Sequence, residues 1–274
     1  LDSYVSVLMM ENKVVTKKVL ERAGISVPGG YEYTSPEAGM ADYRMYAGKP
    51  VVIKPKSTNF GLGITILKHN YDETDFKAAL QIAFEHDNTV LIEKFIPGRE
   101  FRIFIINDEV VGILHRVPAN VTGDGVLNLG QLIERKNEDP LRGKGYRTPL
   151  EKIRKGREEE MFLKQQGMDF NTVPKEGEVV YLRENSNIST GGDSIDFTDD
   201  IDDSYKAIAV EAAKALNVKI TGPDTMIQDI HAPATPDNYA IIEMNFNPAI
   251  HIHCYPFKGK NRHLNHKMIR ALGF

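Results

Sequence analysis

The apolar positions Val14, Val15, Val19 and Leu20 recur at helical spacing between Asn12 and Arg22, with Asn12 placed to cap the helix and Gly24 to stop it. Val51-Val52-Ile53 and Ile64-Thr65-Ile66 are β-branched runs on either side of a polar, glycine-closed stretch, which predicts a hairpin. A helix follows near Glu73 to Glu85, then a strand at Thr89 to Glu93 and a Pro97-Gly98 break. Beyond it, Arg99 to Ile106 and Val110 to Arg116 predict a second hairpin across Asn107-Asp108-Glu109. Pro118 to Lys175 reads as loop-like and charged, the kind of segment that forms lids, substrate walls or disorder. Val179 to Arg183 resumes a strand, and Ser204 to Leu216 is an amphipathic helix. Strands at Ile220 to Gln228 and Tyr239 to Asn245 bracket a proline-rich turn, and His263 to Leu272 closes as a helix. Helices alternating with hairpins predict an α+β protein, with a small sheet in the first hundred residues and a larger one after it.

Composition narrows the partners. A chain of 274 residues suffices for one large domain or two ordinary ones. A net charge of -4 and a pI near 6.1 argue against a surface that coats nucleic acid. The basic run from Lys152 to Arg157 leads into Glu158, Glu159 and Glu160, so it reads as a solvated helix of mixed charge. Cys254 is the single cysteine, which excludes an intrachain disulfide and predicts a reducing, cytoplasmic setting. No stretch approaches a membrane span, and Leu1-Asp2-Ser3 does not begin a signal peptide. Neither a membrane nor a nucleic acid is therefore expected as a partner. The missing initiator methionine allows an excised part of a longer protein.

The candidate chemistry lies at the ends of the strands. In "VVIKPKSTNFGLG" the side chains of Lys56, Ser57, Thr58 and Asn59 can donate to an anion, and Gly61 and Gly63 let backbone N–H groups approach one. A plain hairpin turn explains the same residues, and the chain has no Walker A sequence. Glu243 and Asn245 stand two apart at a strand end and share a face, as two oxygen ligands of a hard cation would. Asp224 supplies a second carboxylate if its strand pairs with theirs; a polar, solvent-facing strand is the alternative. Glu93 ends an apolar strand and Glu100 follows a turn, where they can meet an adenine edge and ribose hydroxyls or simply be exposed. Arg183, ahead of the turn Ser189-Thr190-Gly191-Gly192, is either an oxyanion partner or a surface ion pair. His251, His253 and Cys254 include zinc-ligand types, but they fall in one short loop without a second cluster, so a substrate-side wall is expected.

The order of these pieces, Lys13 before a helix, Lys54 on a strand before a glycine loop, Glu93 and Glu100 around a turn, then Asp224, Glu243 and Asn245, resembles the ATP-grasp superfamily over most of the chain. "HRVPANVTGDG", "DPLRGKGYRTPL" and "LRENSNISTGGDSID" look like the module shared by cyanophycin synthetases and bifunctional glutamate-cysteine ligase/glutathione synthetases. "VVIKPKSTNFGLGI" and the ending Leu272-Gly273-Phe274 look most like the glutathione synthetase part of the latter.

The resemblance implies an ATP-grasp fold. It consists of an opening segment and helix at 1–30, a lid subdomain at 31–96 and a larger antiparallel-sheet subdomain at 97–274, with the nucleotide cleft between the last two. It implies that Lys13 and Lys54 contact the phosphates, that the loop Ser57 to Gly63 closes over them, and that Glu93, Lys94 and Ile96 meet adenine while Glu100 meets ribose. Two magnesium ions, replaceable by manganese, would fall to Asp224, Glu243 and Asn245. Arg183 would steady an acylphosphate, and Asn185, Asn187, Ser189 and Thr190 would bind substrate. The implied activity joins γ-glutamylcysteine to glycine in a homodimer fused to an upstream glutamate-cysteine ligase domain. A cyanophycin-type ligase and a nucleotide-binding module without catalysis are the competing readings. One departure is Gly222-Pro223-Asp224, where relatives usually carry an aliphatic residue before the aspartate; proline there predicts a strand edge or end.

Overall fold

The computed structural model describes residues 2–58, 62–68 and 70–274. The chain begins α1 (Tyr4–Glu11), α2 (Lys13–Arg22), β1 (Gly30–Tyr33), α3 (Pro36–Ala41), α4 (Tyr43–Tyr46), β2 (Val51–Pro55), β3 (Thr65–Leu67), α5 (Glu73–Phe84) and β4 (Val90–Lys94). It continues β5 (Arg99–Ile106), β6 (Glu109–Val117), β7 (Asn120–Thr122), α6 (Leu129–Lys136), β8 (Arg142–Gly143), β9 (Leu150–Glu151), α7 (Arg157–Gln165) and β10 (Val179–Tyr181). A 3-10 turn (Ile188–Thr190) precedes β11 (Asp193–Asp196), α8 (Asp203–Ala215), β12 (Ile220–Ile227), β13 (Tyr239–Asn245), α9 (His251–Cys254) and α10 (Leu264–Ala271). The two principal sheets have strand orders β1-β4-β2-β3 and β11-β6-β5-β12-β13. Two compact units result, one of Leu1–Arg99, Ile103–Val110 and Asp200–Pro248, the other of Glu100–Arg102, Val111–Asp199 and Ala249–Phe274.

In the first unit the predicted hairpin is present, with Val52 opposite Ile66, and β4 pairs antiparallel to the other side of β2. Alternate residues of β2 and β4 turn Val51, Ile53, Val90 and Ile92 onto α5, where Phe76 and Leu80 are fully buried. Phe76 stacks on Tyr46 with ring centroids 5.7 Å apart, which adds aromatic contact to the buried area. Asp72 starts α5 through a reciprocal capping box with Asp75. Gly98 has φ +132, and a Cβ there would lie 2.5 Å from the Ile227 carbonyl oxygen, so the Pro97-Gly98 break is also a point of close backbone approach. Asn107 and Asp108 both adopt positive φ, as a two-residue primed hairpin turn requires.

The second unit corrects the loop-like reading of Pro118 to Lys175. That stretch holds β7, α6, β8, β9 and α7, and builds a core of its own from Val121, Leu129, Leu132, Ile153 and Leu163, joined by Val180 and Leu182. The mixed-charge helix begins only at Arg157, after Lys152 to Gly156 has passed without regular structure. Among the described residues no helix is long and apolar enough to cross a membrane.

Candidate active site

The site in the first unit begins at the α2 N-terminus. Asn12 Oδ1 accepts from the backbone N–H groups of Val14 and Val15, each at 3.2 Å, which satisfies two orphan donors and makes Lys13 the first helical residue. Lys13 Nζ donates to the Thr58 carbonyl at 2.7 Å and stands 3.5 Å from Glu243 Oε1. One turn further on the same face is Lys17, which no sequence motif singled out. Met10, Lys13, Thr16, Lys17, Glu243 and Met244 line a cleft between α2 and β13.

Strands β12 and β13 do pair, with Asp224 opposite Glu243 and Gly222 opposite Asn245, so the three oxygen-bearing side chains meet at one strand end. Asn245 Nδ2 donates to the Gly222 carbonyl at 3.0 Å and to Asp224 Oδ2 at 3.3 Å. The amide nitrogen is thus engaged by the protein, and Oδ1 is the atom left to serve as a ligand. Pro223 lies inside β12 rather than at its end, but the pairing is irregular at Asp224/Thr225, and a bulge tolerates the missing N–H.

Lys54 and Glu93 come from adjacent strands and are 8% and 3% exposed, so Glu93 is not the surface residue of its bland reading. Lys54 Nζ lies 2.9 Å from Glu93 Oε2, and Lys17 is paired to Oε1 of the same carboxylate. Burial lowers the Lys54 pKa to about 8, with Lys13 adding repulsion and Glu243 opposing it. Lys94 is exposed and its N–H is taken by the Gly29 carbonyl at 2.8 Å, while Ile96 is half-buried. Ser57 donates its backbone N–H to Asp87 Oδ2 at 2.7 Å. Gly63 has φ +74, and a Cβ there would meet Pro55 and His86 at 2.7 Å. Asn59 and Gly61 lie outside the described residues.

The remaining candidates belong to the second unit. Arg183 Nε donates to Glu159 Oε1 at 2.6 Å and its Nη1 is paired with Glu158. Glu159 is 1% exposed and also accepts from the Gly156 N–H at 2.9 Å, capping α7, so this ion pair anchors a helix. Replacing Arg183 with Met is therefore expected to cost about 3 kcal/mol by stranding a buried carboxylate. Thermal melting reads that loss, and a variant that also carries Glu159→Gln should recover most of it. Thr190 Oγ1 bridges Asn185 Oδ1 and the Asn187 carbonyl, each at 2.9 Å, next to half-buried Ser189. Glu100 is engaged by Arg116 through one oxygen and by Ser186 Oγ at 2.6 Å through the other. Sequence reading also missed the buried set in which Arg142 and Lys136 share Asp193 beneath the Phe257 ring. His251, His253 and Cys254 form helix α9, not a loop, and burial pushes His253 down to about 3. Among the described residues no group of three or more His, Cys, Asp or Glu is arranged to hold a metal.

Paired lysines at a helix start and on a strand, beside carboxylates at the end of a β12–β13 ladder, are an arrangement for polyanions and hard cations. Residues 10–139 match the RimK-like ATP-grasp domain. The chain superposes on a bifunctional glutathione synthetase from Pasteurella multocida with a TM-score of 0.74, at 49% identity over 99% of this chain and 37% of that one. A D-alanine–D-alanine ligase from Bacillus anthracis shares the fold alone, with a TM-score of 0.54 at 19% identity over 90% of this chain and 60% of that one. The chain has the ATP-grasp fold, the class to which the match over residues 10–139 also points. Within it, the chain is 62% identical over its full 274 residues to the glutathione biosynthesis bifunctional protein of Desulfotalea psychrophila, of which it spans 35%. It thus covers about a third of the length of the curated relatives that it matches.

Proposed function

We infer that this chain is an ATP-dependent carboxylate-amine ligase joining γ-glutamylcysteine to glycine, as one module of a longer protein that also carries a glutamate-cysteine ligase domain. One observation carries the ligase reading. A run of neighbouring polar groups leads from Asn245 and Asp224 through the Asp224–Glu243 register to Lys13, then one helical turn to Lys17 and on to Glu93 and Lys54. The choice of substrates is supported by the 62% identity to a glutathione biosynthesis protein.

In this reading Lys13 and Lys54 orient the ATP phosphates, which carry charge that grows during transfer. The substrate carboxylate attacks the γ-phosphorus, the bond to ADP breaks, and an acylphosphate forms. The glycine amine then attacks the acyl carbon, losing a proton as phosphate departs. Asp224, Glu243 and Asn245 offer only oxygen donors, which fits magnesium, and bound magnesium would neutralise phosphate charge there. Asn185, Asn187, Ser189 and Thr190 are the substrate-binding candidates. Arg183 would contribute to acylphosphate binding only through whatever its pairs with Glu158 and Glu159 leave unused.

A phosphate-release assay over a panel of acids and amines tests the proposal. γ-Glutamylcysteine with glycine should release phosphate and yield the tripeptide. Phosphate release with aspartate-rich peptides and arginine, and none with the first pair, would replace the glutathione reading with the cyanophycin-type one and leave the ligase reading standing.

A further inference from the structure

The reading above gives Lys17 no chemical role, yet the fold has placed it among the groups that have one. Lys13, Lys17 and Glu21 follow one another at single-turn spacing on α2, while β2 contributes Lys54, β4 contributes Glu93 and β13 contributes Glu243. Glu93 divides its carboxylate between two ammonium groups, Oε2 to Lys54 and Oε1 to Lys17. The side chains of Lys17 and Lys54 are 13% and 10% exposed, so neither interaction is diluted by full solvation.

Counting charges shows what Lys17 changes. With Lys17 protonated, two ammoniums and one carboxylate leave a single positive charge, whereas Lys54 and Glu93 alone would form a neutral buried pair, with both carboxylate oxygens competing for one ammonium. A neutral pair is a weak host for a polyanion, and pulling Lys54 away from Glu93 would strand a buried carboxylate. Crowding three lysines has a cost. Burial, with repulsion from Lys54 and Lys13 and only Glu21 opposing them, lowers the Lys17 pKa to about 6. A bound polyphosphate would counter that shift, because a nearby anion favours the charged form of each lysine.

We propose that Lys17 is a positioning residue of the nucleotide site, holding Glu93 through Oε1 so that the Lys54 ammonium can donate to a polyphosphate while Glu93 stays paired. The proposal rests on the ATP reading given above.

The test compares the wild type with Lys17→Met and with the double variant Lys17→Met/Glu93→Gln. ATP kinetics are measured alongside calorimetric binding of magnesium tripolyphosphate, a probe that has no adenine to confuse the result. Lys17→Met should raise the ATP KM and the tripolyphosphate Kd about tenfold, with a smaller change in kcat. The double variant should return the tripolyphosphate Kd to within about threefold of wild type, because Gln removes the charge that captures Lys54 and keeps a carbonyl acceptor. A purely structural role would give no such rescue, and melting curves confirm that each variant is folded. Unchanged tripolyphosphate affinity in Lys17→Met, or a double variant as weak as the single one, overturns the role of Lys17 while wild-type ATP turnover upholds the ligase reading. A wild type that binds neither ATP nor tripolyphosphate overturns both.

Discussion

Glu243→Gln is expected to lower ligation by roughly a hundredfold or more while the protein stays folded. The substitution is nearly isosteric and removes the charge of the proposed hard-cation ligand at the end of β13, opposite Asp224. The side chain is 31% exposed and its ion pair with Lys13 spans 3.5 Å, so the loss in stability should be within about 1 kcal/mol. The discriminating measurement is magnesium dependence. The variant should need far more magnesium for half-maximal phosphate release, and a wild-type magnesium profile would remove Glu243 from the metal assignment.

Lys54→Met should raise the ATP KM by at least about tenfold and lower kcat as well, because an ammonium facing phosphates acts in the ground and transition states alike. Lys17 remains on Glu93 in this variant, so the carboxylate keeps a partner and the fold should survive. The wild type should also carry a pH signature. Burial lowers the Lys54 pKa to about 8, so its positive charge is present below that pH and lost as the pH rises through it. The wild-type KM for ATP should therefore climb between pH 7 and pH 9, and the Met variant should lack that component. A normal KM in Lys54→Met would return the segment around β2 to a hairpin with no nucleotide role.

Much of this was legible in the chain because the relevant physics is local. Helix α2 follows from Asn12 and a 3.6-residue apolar spacing, the β2–β3 hairpin from β-branched runs, and β13 from the apolar run that opens Tyr239–Asn245. The same locality placed Glu243 and Asn245 on one face. It left open whether Asp224 would join them, since strand pairing is a relation between segments, and the β12–β13 ladder supplied the answer.

The residues misread or left open were those whose meaning depends on distant partners. Pro118 to Lys175 lacks a long periodic run, and its core closes only when Val121, Ile153, Leu163 and Val180 meet across gaps that no local window spans. Arg183 carries the same guanidinium whether it faces a substrate or Glu159, and only the packing of α7 against its neighbours showed which carboxylate it holds. Lys17, spaced four residues from Lys13, reads locally as one more charge on a solvated helix face. The sequence by itself determined which elements form and which residue types stand at their ends, because backbone propensity and side-chain periodicity act over a few residues. The tertiary structure alone decided which charges are buried and shared, since desolvation and Coulomb attraction depend on what other strands and helices bring within a few ångströms.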